Sequence, residues 1–317
     1  MKNLAFAALL LVLIGCQSGG APSGTATAQK PRVKIGVSVP SADHGWTAGV
    51  IWWAKKAMAK HPEVDWVFKD AHNPSEQISD IETMMAQHVQ GLVVLAYESA
   101  ALTPTAKKVH QAGIYLVNVD RGFTEPVADL YLQGDNKQFG KISGELVVKQ
   151  LGGKGKLLVL QGIPCTVDSD RVNAANEVFK ANPGIQVLAS QEADWNRQKA
   201  FEVTQTLLTK YPQVDAIWAQ DDDMALGAEK AVQEAARKDV KWILGGAGMK
   251  DIVKRVMDGD PMYPGDVTYP PSMISDGIDD AAKGIGKSTG SQTKVVIPVE
   301  LVTRENAKQF YFPDSVY

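Results

Sequence analysis

Ala216-Ile217-Trp218-Ala219-Gln220-Asp221-Asp222-Asp223-Met224-Ala225-Leu226-Gly227 decides the fold. Its first four residues form an apolar run with no polar alternation, which reads as a strand buried on both faces. Three acids follow, and then a helical pattern over 224–237. Strand, tight polar turn and helix make up the repeating unit of a parallel sheet covered by helices. The unit recurs on either side. Strand patterns stand at 33–39, 64–69, 91–96, 114–120, 130–133, 156–161, 186–189, 216–219, 241–245 and 294–302. Helical patterns at 46–60, 75–88, 102–111, 137–151, 170–180, 197–210, 224–237 and 250–257 separate most of them. Ten strands are too many for one tidy sheet in a chain of this length, so the sequence predicts an α/β protein with two doubly wound parallel-sheet lobes.

Ligands of open α/β sheets bind at the carboxyl ends of the strands, and this chain puts its polar and aromatic residues there. The 33–39 pattern runs into Ser41, Asp43, His44 and Trp46, and the 114–120 pattern ends in Asp120-Arg121-Gly122. The 156–161 pattern leads to Gly162-Ile163-Pro164-Cys165-Thr166, with Asp168 and Arg171 beyond, and the 186–189 pattern leads to Asp194-Trp195-Asn196-Arg197. Gly245-Gly246-Ala247-Gly248 and, after a Pro/Gly-rich turn, Asp266-Val267-Thr268-Tyr269 complete the set. Any one of these edges reads as an ordinary loop. Together they assemble carboxylates, guanidinium forks and aromatic faces.

The 317 residues carry 33 Lys+Arg against 36 Asp+Glu, a formal charge of −3 with no basic stripe, which argues against a nucleic-acid partner. Met1-Lys2-Asn3 is a short positive start, Leu4 to Ile14 is uncharged and apolar, and Leu13-Ile14-Gly15-Cys16 follows. The apolar run is shorter than the roughly 20 residues of a membrane span. It resembles a bacterial lipoprotein signal: residues 1–15 would be removed, Cys16 would carry lipid, and the protein would lie outside the cytoplasm, anchored to a membrane. The Gly/Ser/Ala/Thr/Pro composition of the segment up to residue 32 predicts a flexible tether. With Cys16 lipidated, Cys165 has no partner for an intrachain disulfide and reads as a packing residue.

Asn118-Val119-Asp120-Arg121-Gly122, Gly134-Asp135-Asn136 and the 219–227 turn resemble the ribose- and galactose-type periplasmic sugar-binding proteins, the receptors of ABC importers. The similarity spans 33–317. It implies two lobes, 33–134 plus 268–292 and 135–267 plus 293–317, joined by a three-stranded hinge with the ligand in the cleft. It further implies that Asp120 and Arg121 grip ring hydroxyls, that Asp221 and Arg171 answer from the other lobe, and that Trp46 and Trp195 stack on the ligand. Ser41, Asp43 and His44 would line the first loop, and Tyr269 would occupy the last hinge position. An ABC permease would be the membrane partner, the protein acting as a monomer with no cofactor and no metal. The chemistry suits a neutral sugar or polyol: hydroxyls pair with carboxylates and guanidinium groups, and C–H patches lie on aromatic faces.

Three departures bear on the ligand. Ala247 or Gly248 stands where the family often has aspartate, only Arg171 remains of two loop arginines, and Tyr269 replaces a frequent glutamine. They make ribose itself doubtful and suggest a more aromatic pocket. Trp52 and Trp53 read as helix packing, and Trp66, Trp218 and Trp242 as core. Asp221–Asp223 lacks the spaced oxygens and closing glutamate of a calcium loop, and Asp222 or Asp223 can cap the next helix. Enzymatic readings find little support: Gly245–Gly248 is not a full dinucleotide fingerprint, and there is no HExxH. A carbohydrate-cleaving carboxylate pair in the cleft remains a geometric alternative. A signal-binding or chemoreceptor-linked protein of the same fold is the other. The lipoprotein-like start discriminates against a repressor effector domain.

Overall fold

A computed structural model describes residues 32–285 and 292–317. The signal segment 1–15, Cys16 and the tether up to residue 31 lie outside the described residues.

The strand-turn-helix units form as the patterns predict. The first half contains β1 (Val33–Pro40), α1 (Gly45–Ala59), β2 (Val64–Ala71), α2 (Pro74–Ala86), β3 (Gly91–Val94), α3 (Ser99–Gln111), β4 (Tyr115–Val119) and β5 (Leu130–Gly134). The second contains α4 (Asn136–Gln150), β6 (Gly155–Gln161), α5 (Thr166–Ala181), β7 (Ile185–Glu192), α6 (Arg197–Lys210), β8 (Ala216–Ala219), α7 (Asp222–Glu234), β9 (Trp242–Leu244) and α8 (Lys250–Asp258). Then follow β10 (Asp266–Val267), α9 (Met273–Gly284), β11 (Thr293–Ile297) and β12 (Leu301–Val302).

The strands form two parallel sheets, ordered β11-β5-β4-β3-β1-β2 and β7-β6-β8-β9, and an antiparallel ribbon β10-β12. The interior strands β3, β4, β5 and β8 are almost wholly buried, which is why they read as unbroken apolar runs, whereas the edge strands β2, β7 and β11 expose many of their residues. Strand order reverses between β1 and β3 in one sheet and between β6 and β8 in the other. These are the switch points where such sheets open a crevice.

The chain leaves the first sheet after β5, where α4 packs on α5 of the second half. It returns after β10, as α9 packs on α1 and β4. It leaves again after β11, as β12 pairs with β10. This last step corrects the expected boundary at 293. Thr293–Ile297 pairs in register with Leu130–Gly134 of the first sheet, so the crossing lies beyond it. The expected strand 294–302 divides at Pro298, which has no N–H to continue a ladder. Helix α9 has no counterpart in the sequence reading because Gly277 and Gly284 dilute its helical signal. Among the described residues no helix is long and apolar enough to cross a membrane.

Candidate ligand-binding site

Strand ends from both sheets meet at one cavity. His44, Trp46, Asp120, Arg121 and Tyr269 face Val167, Arg171, Trp195, Asp221 and Ala247 across it. About 330 Å3 there is free of protein atoms. The lining side chains thus border a space of the size of one small molecule, open in part to solvent.

Eight of the ten residues singled out from the sequence line this cavity. Asp43 lines an adjoining space at the mouth with His44, Tyr97, Arg121, Asp194 and Lys199. Its carboxylate pairs with His44 Nδ1 at 2.6 Å and accepts from Thr47 Oγ1 at 3.0 Å. Burial acts to raise its pKa, but His44 and Thr47 outweigh that and hold it below the usual range. Ser41 is a correction: it is buried at the end of β1, its N–H bonded to the Ala71 carbonyl at 2.8 Å, and it does not line the cavity.

The Asp120 carboxyl is tied into the protein. Tyr269 Oη donates to its Oδ1 at 2.6 Å, and Arg121 Nε stands 3.9 Å from Oδ2. Burial pushes its pKa up, against the opposing pull of Arg121, Tyr269 and Arg171. Tyr269 Oη in turn accepts from Asn136 Nδ2 at 3.1 Å, and Trp46 Nε1 donates to the Tyr269 carbonyl at 2.9 Å. Tyr269 therefore acts mainly as a wall and a brace.

Arg171 is clamped. Its Nε donates to Asn136 Oδ1 at 3.0 Å and one terminal nitrogen to the Gln220 carbonyl at 2.8 Å. Its guanidinium carbon lies 3.8 Å from the centre of the Phe139 ring and 4.4 Å from that of Tyr269. A planar cation held between aromatic faces keeps one aim. Sequence reasoning missed Asn136, Phe139 and Gln220. Asn136 belongs to the Gly134–Asn136 motif and was the one most open to discovery; Phe139 carries no signal beyond a helix core position.

Asp221 is the exception to this saturation. Its Oδ1 accepts from the Met224 N–H at 2.8 Å and so caps α7, while its Oδ2 is buried without a protein partner. The cap is thus Asp221 rather than Asp222 or Asp223. Asp222 accepts from the Gly246 and Met249 N–H groups, each at 2.8 Å, and Asp223 turns to Gly45 and Arg197. Burial and then the nearby Asp223 charge push the Asp221 carboxyl well above the usual range.

Backbone strain collects at the same place. Asp120, Trp195 and Ala247 have φ of 63°, 59° and 100°, conformations that cost about 1–3 kcal/mol each and persist where the surroundings enforce them. Gly162 makes room for Trp195: a Cβ there would stand 1.9 Å from the indole. Cys165 is buried at the start of α5, and burial raises its thiol pKa, in keeping with packing.

Two parallel-sheet halves with a small polar and aromatic cavity between their strand ends define a cleft-binding protein. Residues 35–276 match the family model of the periplasmic binding protein domain. The chain is 31% identical over 239 residues to the ribose import binding protein of Escherichia coli K12, covering 75% of this chain and 80% of that one. It is 30% identical over 262 residues to a xylitol-binding protein of Mycolicibacterium smegmatis, covering 81% and 73%. Among solved structures, a galactofuranose binding protein superimposes with a TM-score of 0.81 at 25% identity, over 90% of this chain and all of that one. An ABC transporter solute binding protein from Mycobacterium smegmatis with bound glycerol gives 0.82 at 26% identity, over 90% and 99%. The chain belongs to the periplasmic binding protein family. Membership carries an extracytoplasmic location, and the family's members are binding proteins rather than enzymes.

Proposed function

We propose that this protein is the receptor of an ABC importer, capturing one small neutral sugar or polyol between two closing lobes and delivering it to a membrane permease. The observation that carries the reading is the unpartnered Oδ2 of Asp221, buried at the cavity among Arg121, Arg171, Trp46 and Trp195. A buried carboxyl oxygen without a partner costs about 1–3 kcal/mol, and a ligand hydroxyl removes that cost on closing. The indole faces suit C–H patches, and the guanidinium groups suit hydroxyl oxygens. The relatives that bind ribose and xylitol support the ligand class, and the cavity's size favours a monosaccharide or smaller polyol.

One lobe comprises residues 33–134 with 268–297, and the other 135–267 with 298–317. Hinge motion about the three crossings would admit the ligand, and closure would be stabilised by contacts made to both lobes. Asp43, His44, Trp46, Asp120, Arg121 and Tyr269 serve from the first lobe, and Arg171, Trp195 and Asp221 from the second. The protein acts as a monomer, anchored through lipidated Cys16 after removal of residues 1–15. No reaction is assigned to it. Lipidation is tested by intact-mass analysis of membrane-extracted protein, where a chain beginning at an unmodified residue would reject it.

The ligand is tested by a thermal-shift screen of residues 29–317 against pentoses, hexoses, pentitols, inositols and amino acids. A native-state ligand at 100 times its Kd adds about 2.7 kcal/mol. A clear shift with one polyhydroxylated compound is expected. Shifts only with amino acids, or with none of the panel, would reject the sugar-receptor reading.

A further inference from the structure

Helix α1 begins at the cleft with Gly45, and its first turn holds no acidic residue. Thr47 Oγ1 accepts from the His44 N–H at 3.3 Å. The Gly45 N–H goes elsewhere: it donates to Asp223 Oδ2 at 2.7 Å. Asp223 lies 178 residues along the chain, in the first turn of α7, on the opposite side of the cleft. Its other oxygen accepts from Arg197 Nε at 3.1 Å and from a terminal nitrogen of Arg197 at 2.6 Å. Arg197 opens α6, in the same half as Asp223, and so presents the carboxylate before it reaches α1. The Asp223 side chain is buried, and Asp223 is not among the residues lining the cavity.

We infer that Asp223 is a positioning residue for closure: it caps α1 across the cleft and holds the two halves together by a contact that involves no ligand atom. A carboxylate at a helix N-terminus satisfies a free N–H and meets the positive end of the helix dipole. When the halves part, water replaces this contact on both partners, so the bond favours the closed form. Apparent affinity scales with the fraction of protein in the binding-competent form. Asp223 therefore tunes affinity for every ligand by one factor, unlike Asp221, whose open oxygen selects among them. A neutral companion contact lies at another point of the cleft, where the Gly122 N–H donates to Thr166 Oγ1 at 3.1 Å.

The steric detail supplies a second variant from the other half. A Cβ on Gly45 would stand 2.8 Å from Asp223 Oδ2 and 3.0 Å from the Tyr317 ring. Gly45→Ala should thus oppose closure, and in an Asp223→Ala background it should add less than it does alone, because the carboxylate it displaces is gone.

The test is small-angle X-ray scattering of residues 29–317 without ligand, for the parent, Asp223→Ala, Asp223→Asn and Gly45→Ala, with thermal midpoints to separate opening from unfolding. Asp223→Ala and Gly45→Ala are expected to raise the radius of gyration, and Asp223→Asn, which keeps an acceptor without the charge, to fall between. Titration with D-ribose and xylitol extends the test to affinity. For whichever of the two binds the parent, Asp223→Ala should weaken binding about 5- to 10-fold, the fold-change corresponding to roughly 1–1.4 kcal/mol of capping energy, with the preference between them unchanged. A folded Asp223→Ala whose scattering profile equals the parent's overturns the inference. So does a change in the preference between the two compounds, which would make Asp223 a ligand contact. Should Asp223→Ala not fold, Gly45→Ala scattering like the parent overturns it equally. The scattering arm does not depend on the ligand's identity: failure of both sugars to bind would count against the proposed function and leave the closure result standing.

Discussion

The turns after β4 and β8 each place an aspartate at the end of a buried strand, and the two side chains are used differently. Asp120 sits at φ 63° with Tyr269 bonded to one oxygen and Arg121 near the other. Asp221 sits in extended backbone, uses one oxygen to cap α7 and leaves the other without a protein partner. The first carboxyl has neighbours at both oxygens; the second has one oxygen without a protein partner. On the proposed reading, two acids at equivalent strand ends would contribute differently: Asp120 braced by its neighbours, Asp221 with one oxygen left for a ligand.

The largest effect is expected from Asp221→Ala. It should weaken binding of the sugar or polyol found by screening about 10- to 100-fold, as expected for a hydrogen bond to a buried carboxyl. The lost cap costs about 1 kcal/mol of stability, but removing the unpartnered buried oxygen offsets it, so the melting midpoint without ligand should change little. Calorimetric titration beside a melting curve checks both, and unchanged affinity would erase the distinction between the two acids. Arg171→Lys comes next. A lysine cannot fork between Asn136 and Gln220 while stacking on Phe139, so affinity should fall about tenfold, read in the same titration. Tyr269→Phe tests the Asp120 side. It releases Asp120 Oδ1 and strips a partner from Asn136, so stability should fall by about 1 kcal/mol, and the ranking of ligands in a thermal-shift panel should change more than the best affinity does.

A smaller effect concerns pH. Asp168 accepts from the Gly162 N–H at 3.0 Å and Gln220 Nε2 at 2.9 Å, and burial still pushes its carboxyl up to about 6. An unfolded aspartate titrates at about 3.9. The folded state therefore binds the extra proton between these values, and this group's contribution to stability falls as pH rises from about 4 to about 6, then levels. Asp168→Asn should gain on the parent in thermal midpoint through that window; parallel midpoint curves would contradict the assignment. Smallest of all, Ser41→Ala should leave affinity within about twofold, because Ser41 stands off the cavity.

The alternation of apolar runs and helical patterns made the two parallel sheets legible, because interior strands buried on both faces have no alternating polarity to obscure them. The edges were less so: Thr293–Ile297 is largely exposed and joins the first sheet only through pairing with β5, a long-range contact that no local pattern records. Candidate residues such as Trp46, Arg171 and Trp195 were legible because they follow strand ends closely in sequence and fall at positions the family resemblance marks. Their supports were not. Phe139 looks like any helix core residue until Arg171 stacks on it, and nothing in Asp221-Asp222-Asp223 says which acid caps, which braces a loop and which reaches across the cleft. Those assignments depend on what the other half presents.

Whether Asp221 holds the ligand is decided by calorimetric titration of residues 29–317, parent and Asp221→Ala, at pH 7 with D-ribose, D-allose, xylitol and myo-inositol. Saturable one-to-one binding of at least one compound by the parent, and a loss of about tenfold or more in the variant, are expected. Equal binding by parent and variant, or no heat with any of the four compounds, would contradict that role of Asp221.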